Sequence, residues 1–192
     1  MIGSVVYELL LSFQLFTLDI MTMAKGITSA YLPFGAVAVN EKVHEGLRGT
    51  MFASYTYSGH PVCAAAAVKT LEIYVRDNVV ENAAKVGKYA LERLREEFLP
   101  LPCVGDIRGL GLFIGIEIVA DKETRKPFDL ELNVVPKALK QALAAGLFMR
   151  ASSSRIAPGD RLNFCPPLTI TTEQVDRILD ILHPIVADIK PV

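Results

Sequence analysis

The stretch IMTMAKGITSAYLPFGAV, residues 20–37, carries one lysine, Lys25, in an otherwise uncharged run. An ammonium group removed from water is costly unless it is paired, neutralised or used chemically. A desolvated lysine also has a lowered pKa and becomes a nucleophile. Taken alone, these residues leave two interpretations open. Lys25 is either a lysine that reaches solvent from the edge of a loop, or a Schiff-base lysine with Thr28 or Ser29 available for hydrogen bonding.

The composition limits the classes of function. The chain has 192 residues, enough for one domain or one and a half, and hydrophobic residues make up 51%. Its formal charge of -1 provides no basic excess to attract nucleic acid. The cysteines Cys63, Cys103 and Cys165 are widely spaced and show no metal-ligand or redox pairing. This pattern predicts no metal site and favours a reducing cytoplasm.

The first sixteen residues, MIGSVVYELLLSFQLF, are apolar, and we do not expect them to form a targeting segment. They lack a basic region, Glu8 interrupts the apolar run, and the run is short for a membrane span. We therefore expect a buried helix or strand here, and no membrane association.

The remaining sequence predicts alternating elements. Apolar residues at helical spacing predict helices at residues 62–74, 81–98, 134–145 and 171 to about 189. Strands are predicted at residues 35–40, 107–119 (one long strand), 147–152 and 161–167. Gly46 and Gly49 are expected to prevent a regular element in residues 41–57. This order suggests an α+β module that follows the end of an α/β domain.

The segment TYSGHP, residues 56–61, directly precedes a predicted helix, and its Pro61 suits the first turn of that helix. Hydroxyls and free backbone N–H groups at such a position can bind an anion, although an ordinary turn and helix cap has the same composition. His60 has no cysteine or carboxylate at metal spacing, so we interpret it as a capping or packing residue.

Two arginines interrupt the predicted strands. Arg150, in GLFMRAS, is expected to pair with a carboxylate, either an internal one such as Asp160 or that of a substrate. Arg108, in DIRGLGLF, is expected to bond backbone carbonyls or a nearby acid such as Asp106.

Four segments of the chain occur in a characteristic order. They are DIMTMAKGITSAYLPFGAV (residues 19–37), TYSGHPVCAAAAVKTLEIY (56–74), VGDIRGLGLFIGIEIV (104–119) and RLNFCPPLTITTEQVDRILDIL (161–182). Together they resemble the class III aminotransferases. These are pyridoxal-phosphate enzymes of fold type I that include the omega-amino acid:pyruvate transaminases. The resemblance covers roughly residues 18–190 and leaves out the first sixteen.

The resemblance implies a role for each candidate residue. Lys25 is similar to the lysine that forms the Schiff base with pyridoxal 5'-phosphate and later moves the proton between substrate and cofactor. Thr56 resembles the threonine that holds the cofactor phosphate of the partner subunit. Arg150 resembles the arginine that binds the substrate α-carboxylate. Arg108 would keep a structural role.

The sequence also departs from the family pattern. Ala53 and Ser54 stand where the family usually has a His-Gly pair. The family's chains are more than twice as long, and three of their features are missing here: the phosphate-binding Gly/Ser turn, the aromatic residue that stacks on the pyridine ring, and the aspartate that protonates its nitrogen. Before Lys25 the acidic residues are Glu8 and Asp19, and Asp19 fits a different aspartate of the family.

The resemblance implies a fold of α/β and α+β type, the C-terminal portion of a fold type I transferase. Residues 1–78 would be the end of the cofactor-binding large domain, and residues 79–192 the complete small domain. Because most of the large domain's sheet would be missing, we expect exposed apolar surface and self-association or marginal stability.

The implied activity is transfer of an amino group from an amine or omega-amino acid to a keto acid such as pyruvate. A cytoplasmic homodimer is implied as well, with weak or no turnover by this chain alone. Two alternatives stay open: a non-catalytic remnant or interaction module of the same fold, and another pyridoxal-phosphate reaction such as an aminomutase or decarboxylase.

Overall fold

The computed structural model describes residues 18–50, 55–153 and 159–190 of the chain. Contacts between residues divide the chain into two compact units, one that ends at Val79 and one that begins at Val80. The predicted helix or strand in the first sixteen residues lies outside the described part of the chain.

The described residues of the first unit form a two-stranded antiparallel sheet and two helices. Its elements are β1 (Ile20–Ala24), a 3-10 turn (Lys25–Thr28), β2 (Gly35–Val39), α1 (Glu41–Gly46) and α2 (Pro61–Arg76). The strand predicted at residues 35–40 and the helix that begins at Pro61 are confirmed. Proline suits the first turn of a helix because that position needs no N–H donor.

The helix α1 was not predicted from the sequence. Asn40 caps it, since its side chain accepts a hydrogen bond from the Val43 amide at 3.0 Å. The Asn40 side chain also donates to the Asp19 carboxylate at 2.6 Å. Gly46 is the last residue of the helix. The glycines therefore limit the length of this element without preventing it.

The second unit is a four-stranded antiparallel sheet with helices. It comprises α3 (Val79–Glu97), β3 (Val104–Leu110), β4 (Phe113–Ile118), a 3-10 turn (Leu130–Leu132), α4 (Val134–Ala144), β5 (Arg150–Ser153), β6 (Asp160–Phe164) and α5 (Thr172–Ala187). The strand order is β3-β4-β6-β5. All three helices predicted for this part of the chain are confirmed, and α5 begins with a capping box made by Thr171 and Gln174.

One face of the sheet forms the core of this unit. Ile107, Ile116 and Leu162 are directly paired across three strands and are at most 1% exposed. Buried apolar residues of the three helices belong to the same core, among them Leu94 of α3 and Leu179 of α5. Side chains alternate between the two faces along a strand. The residues directly before and after these buried ones in each strand therefore point to the other, open face of the sheet.

The single long strand predicted for residues 107–119 is wrong. The segment is a hairpin in which β3 and β4 pair antiparallel, with Leu110 opposite Phe113. The loop therefore consists of Gly111 and Leu112, and Gly111 has a φ of 54°. A two-residue loop with glycine at its first position matches the twist of adjacent strands, which explains the reversal.

Candidate active site

Lys25 begins the 3-10 turn that follows β1. Its φ is 54°, and Ser29 and Ala30 have φ values of 49° and 61°. Residues with a Cβ rarely adopt this left-handed conformation, so the segment is strained. Three backbone bonds close it, with Ser29 bonded to Gly26, Ala30 to Lys25 and Tyr31 to Thr28 at 3.0–3.1 Å.

Side chains fix this turn as well. The hydroxyl of Thr28, which is 1% exposed, donates to the Leu32 carbonyl at 2.7 Å. The hydroxyl of Tyr74, on α2, donates to the Gly26 carbonyl at 3.4 Å. Lys25 itself is exposed, and it makes no ion pair with a residue in the described part of the chain. The turn therefore presents an accessible amine on a fixed backbone.

Two hydroxyl residues close to Lys25 in the sequence, Thr28 and Ser29, were predicted to be available to it for hydrogen bonding. Thr28 bonds inward to the backbone of its own turn, as described, so its hydroxyl is used structurally. Ser29 is exposed, and its backbone amide helps to close the turn. Tyr74 was not singled out from the sequence. It lies 48 residues away from Gly26, too far for a local pattern to connect them.

Thr56 lies in an exposed turn just before α2. Two hydrogen bonds close this turn: the Ser58 amide bonds to the Tyr55 carbonyl at 2.9 Å, and the Tyr55 amide bonds to the Ser58 hydroxyl at 3.1 Å. Thr56 itself is exposed. His60 occupies the N-cap position of α2, but its side chain makes no capping hydrogen bond. The capping role considered for it is therefore wrong, and Ala53 and Ser54 lie outside the described residues.

Arg150 and Arg108 both belong to the second unit, on the two edge strands of its sheet. Arg108 pairs with Gly115, Gly115 with Asn163, and Asn163 with Arg150. Directly paired residues share a face, so both arginines lie on the open face in one row across the sheet. The row spans three inter-strand spacings, roughly 14 Å between the outer Cα atoms.

The two arginines differ in their carboxylate partners. The Arg108 guanidinium lies 3.3 Å from the Asp106 carboxylate, as the sequence analysis predicted. Arg150 forms no ion pair within the described ranges 18–50, 55–153 and 159–190. Asp160 pairs with Ser153, three positions along β5 from Arg150, and its side chain belongs to the buried face. The described structure therefore leaves the Arg150 guanidinium available to an external anion.

A groove of about 300 Å³ lies on the same open face. Its polar lining consists of two acidic residues, two arginines and two neutral residues: Asp106, Glu117, Arg108, Arg161, Ser152 and Asn163. The Asn163 amide donates to the Ser152 hydroxyl at 3.1 Å, beside the position of Arg150. Positive and negative groups are balanced along the groove, so the second unit offers a polar, open surface beside Arg150.

The family-level comparison covers most of the chain. The model of the class-III aminotransferases matches residues 14–186. The chain belongs to the class-III aminotransferases. This confirms the resemblance carried by the four segments of the sequence, and enzymes of this family depend on pyridoxal phosphate.

Individual class-III aminotransferases are similar to this chain over a limited part of their length. An uncharacterised aminotransferase of Sinorhizobium fredii is 44% identical over 167 residues, which cover 84% of this chain and 35% of that protein. The diaminobutyrate–2-oxoglutarate transaminase of Halomonas elongata is 40% identical over the same shares. The chain thus spans about a third of the length of these relatives.

Solved transaminase structures share the fold. A transaminase from the marine bacterium Virgibacillus has a TM-score of 0.80 and 35% identity, over 89% of this chain and 39% of that one. An amine transaminase from an uncultivated Pseudomonas species, solved with pyridoxal phosphate bound, has a TM-score of 0.77 and 34% identity over 88% and 38%. The α/β and α+β fold predicted from the class-III resemblance, part of fold type I, is therefore confirmed.

Two structural features are absent among the described residues of this class-III chain. No helix among them is long and apolar enough to cross a membrane. No group of three or more histidine, cysteine or acidic residues in the same ranges could hold a metal ion.

Proposed function

We propose that the chain carries the cofactor lysine and the carboxylate-binding arginine of a pyridoxal-phosphate-dependent aminotransferase. The reaction transfers an amino group from an amine or omega-amino acid to a keto acid such as pyruvate. The proposal depends mainly on the environment of Lys25. Its amine is exposed, has no ion-pair partner among the described residues and lies at the start of a strained turn. Family membership supplies the chemical class.

The residues present fit the cofactor in their donor chemistry. An aldehyde requires an accessible amine without a competing ion pair, and Lys25 meets this requirement within the described ranges. A phosphate group requires hydrogen-bond donors, and Thr56, an exposed residue in a closed turn, has a hydroxyl and a backbone amide. Lys25 would therefore hold the cofactor covalently. Thr56 would hold the cofactor phosphate, and in the family the corresponding threonine does this for the cofactor of the partner subunit.

The chain's own contribution to the mechanism begins at Lys25. When bound, pyridoxal phosphate supplies the aldehyde and the electron sink of the reaction. The Lys25 Nζ would hold the cofactor and would also be the group that carries the proton removed from the substrate carbon. The closed 3-10 turn orients this amine because its carbonyls are held by Ala30, Ser29 and Tyr74.

Arg150 would contribute substrate binding. A guanidinium binds a carboxylate with two parallel hydrogen bonds, which fixes orientation as well as charge. No carboxylate in the described part of the chain forms an ion pair with Arg150, whereas Arg108 in the same row is paired with Asp106. We therefore assign the substrate α-carboxylate to Arg150 and a structural role to Arg108.

We propose the following organisation for the complete enzyme. Residues 1–78 would correspond to the end of the cofactor-binding domain, and residues 79–192 to the small domain. The active form would be a cytoplasmic homodimer, in agreement with the composition and with the partner-subunit role of Thr56. The Pseudomonas structure with bound cofactor supports the choice of pyridoxal phosphate.

The second candidate function is non-catalytic. In this case the chain folds but does not catalyse the reaction, and it is a remnant of the enzyme or an interaction module. The observation that favours it is the two-stranded sheet of the first unit. Ile20 and Val39 are a cross-strand pair, 56% and 41% exposed, and Val37 on the same face is 64% exposed. An exposed apolar sheet face favours association with another surface. A chain of this second kind would show weak or absent turnover by itself.

Borohydride trapping distinguishes these candidates. The purified full chain is mixed with pyridoxal phosphate, its visible absorption is recorded, and the sample is reduced and mapped by peptide mass spectrometry. We expect an adduct on Lys25 that is absent in Lys25→Ala and retained in the control Lys42→Ala, which removes another exposed lysine of the same unit.

Turnover is measured separately by adding an amine donor and pyruvate and detecting alanine. An adduct with little alanine is the expected result. The absence of an adduct at saturating cofactor would contradict the catalytic proposal and favour the interaction module.

A further inference from the structure

We propose that Tyr74 is a positioning residue for Lys25, and that its hydroxyl bond to the Gly26 carbonyl holds the strained turn in the conformation that presents the lysine amine. The inference rests on the proposed role of Lys25 as the cofactor lysine. The hydroxyl oxygen of Tyr74 lies 3.4 Å from the Gly26 carbonyl oxygen.

The turn needs such a restraint because its backbone is strained. Lys25, Ser29 and Ala30 all have φ values between 49° and 61°. Residues with a Cβ pay a conformational cost there, and strained segments persist only where the surrounding structure over-determines them. A turn released from its restraints would relax toward ordinary backbone angles, and the direction of the Lys25 side chain would change with them.

The restraint acts on the peptide group next to the lysine. The Gly26 carbonyl accepts two hydrogen bonds, one from the Ser29 amide at 3.0 Å and one from the Tyr74 hydroxyl. The Lys25 carbonyl accepts from the Ala30 amide at 3.1 Å. The two consecutive carbonyls are thus both held. Within the described residues, Tyr74 provides the side-chain hydrogen bond that reaches the turn from another element.

Tyr74 lies on a packed helix, which limits the movement of its hydroxyl. The residue belongs to α2, and Thr70, one turn earlier in the helix, is 8% exposed and bonds to the Ala66 carbonyl at 2.9 Å. The helix packs against the 3-10 turn, and its residues Ala67 and Leu71 are 1% and 6% exposed. A hydroxyl carried by a packed helix holds its partner more precisely than one carried by a loop.

The variant that isolates this role is Tyr74→Phe, which removes the hydroxyl and keeps the ring. The matched control is Tyr31→Phe, which removes the hydroxyl of an 85% exposed tyrosine next to the same turn. The first measurement is amide hydrogen exchange of Ser29 and Ala30 in the full chain, without cofactor. We expect exchange about fivefold faster in Tyr74→Phe and unchanged in Tyr31→Phe, the effect of one hydrogen bond.

The second measurement separates positioning from a merely structural role. Cofactor is titrated into each variant, and the visible band of the lysine-bound form gives the half-saturating concentration. We expect this concentration to rise about fivefold in Tyr74→Phe alone. Reductive methylation of Lys25 by formaldehyde, with Lys42 as internal reference, should stay unchanged because Lys25 is exposed in either case.

Each outcome decides the inference. Unchanged exchange in Tyr74→Phe overturns it, and so does faster exchange with unchanged half-saturation, since Tyr74 would then be structural only. Both of these leave the proposed function intact. A wild-type chain with no cofactor on Lys25 contradicts the proposed function, and the positioning role falls with it. Faster exchange together with weaker cofactor binding supports the inference.

Discussion

Arg108 and Arg150 lie in one cross-strand row on the open face of the four-stranded sheet, at its opposite edges, with Gly115 and Asn163 between them. The two side chains carry the same charge and lie on the same face of the sheet. They differ in that Arg108 is paired with Asp106, whereas Arg150 has no carboxylate partner in the described part of the chain. This difference makes Arg108 a matched control for the proposed function of Arg150.

We predict that Arg150→Lys weakens pyruvate binding about tenfold or more, while Arg108→Lys changes it less than about twofold. Lysine keeps the charge but loses the planar fork that binds a carboxylate with two hydrogen bonds. Pyruvate binding to the cofactor-loaded full chain is measured by ligand-observed NMR. Equal losses in the two variants would show that charge on this face, and not the site at Arg150, determines binding.

A close contact between two glycines leads to a prediction on stability. A Cβ added to Gly87 of α3 would lie 2.2 Å from the Gly111 carbonyl carbon and 2.4 Å from its oxygen. Backbone cannot move aside as a flexible side chain can, so we expect Gly87→Ala to lower the free energy of unfolding by about 3 kcal/mol. Urea denaturation measures this change.

Gly115→Ala is the control for this substitution. At Gly115 the nearest atom to an added Cβ is the Arg108 carbonyl oxygen, at 3.9 Å, an ordinary contact distance. We expect its effect to stay within about 0.5 kcal/mol. A similar loss for both glycines would mean that the approach of α3 to the hairpin loop is not the cause.

The cysteines should differ in reactivity toward a thiol reagent. Cys103 is 0% exposed and donates to the Val186 carbonyl at 3.3 Å, and burial raises the pKa of its thiol. Cys165 is exposed and Cys63 half-buried. We expect Cys103 of the native chain to react roughly 100-fold more slowly than Cys165, because buried thiols are scarcely ionised. Mass spectrometry after timed alkylation measures each rate, and comparable rates would contradict a stable core around Cys103.

Much of the fold was accessible from the sequence because its signals are local. Hydrophobic periodicity predicted the helices, and Pro61 predicted the start of α2. The hairpin at residues 107–119 was missed because its strands both alternate apolar and small residues, so the pattern continues across the loop. Gly111, the first loop residue, was the available signal. For α1 the signal was Asn40, a favourable N-cap residue followed by Glu41.

The site was predictable only residue by residue. Lys25, Thr56 and Arg150 stand out in their own segments, so sequence reasoning and the family resemblance found them. Tyr74 and Asn163 did not stand out, since a tyrosine in an apolar helix and an asparagine in a strand are ordinary residues. Their relation to the site depends on non-local geometry: the packing of α2 on the turn and the register of β5 with β6.

The last prediction concerns the pH dependence of the loop that follows β4. The Asp121 carboxylate accepts hydrogen bonds from the Glu123 and Thr124 amides at 2.8 and 3.1 Å. The bonds from Thr124 and Glu123 lower the pKa of this carboxyl below its usual value. Because the folded pKa is the lower one, the stabilisation is complete above the unfolded pKa of about 3.9 and is lost as the pH falls through the folded value.

We therefore expect the Thr124 amide resonance to follow the ionisation of Asp121, with a midpoint below that of an unstructured peptide with the same sequence. In Asp121→Asn an acceptor oxygen remains but the charge is gone, so the loop should keep its turn while this titration disappears. NMR between about pH 2 and 6 measures both chains. A midpoint equal to that of the peptide would show that the amide bonds do not favour the ionised form in solution.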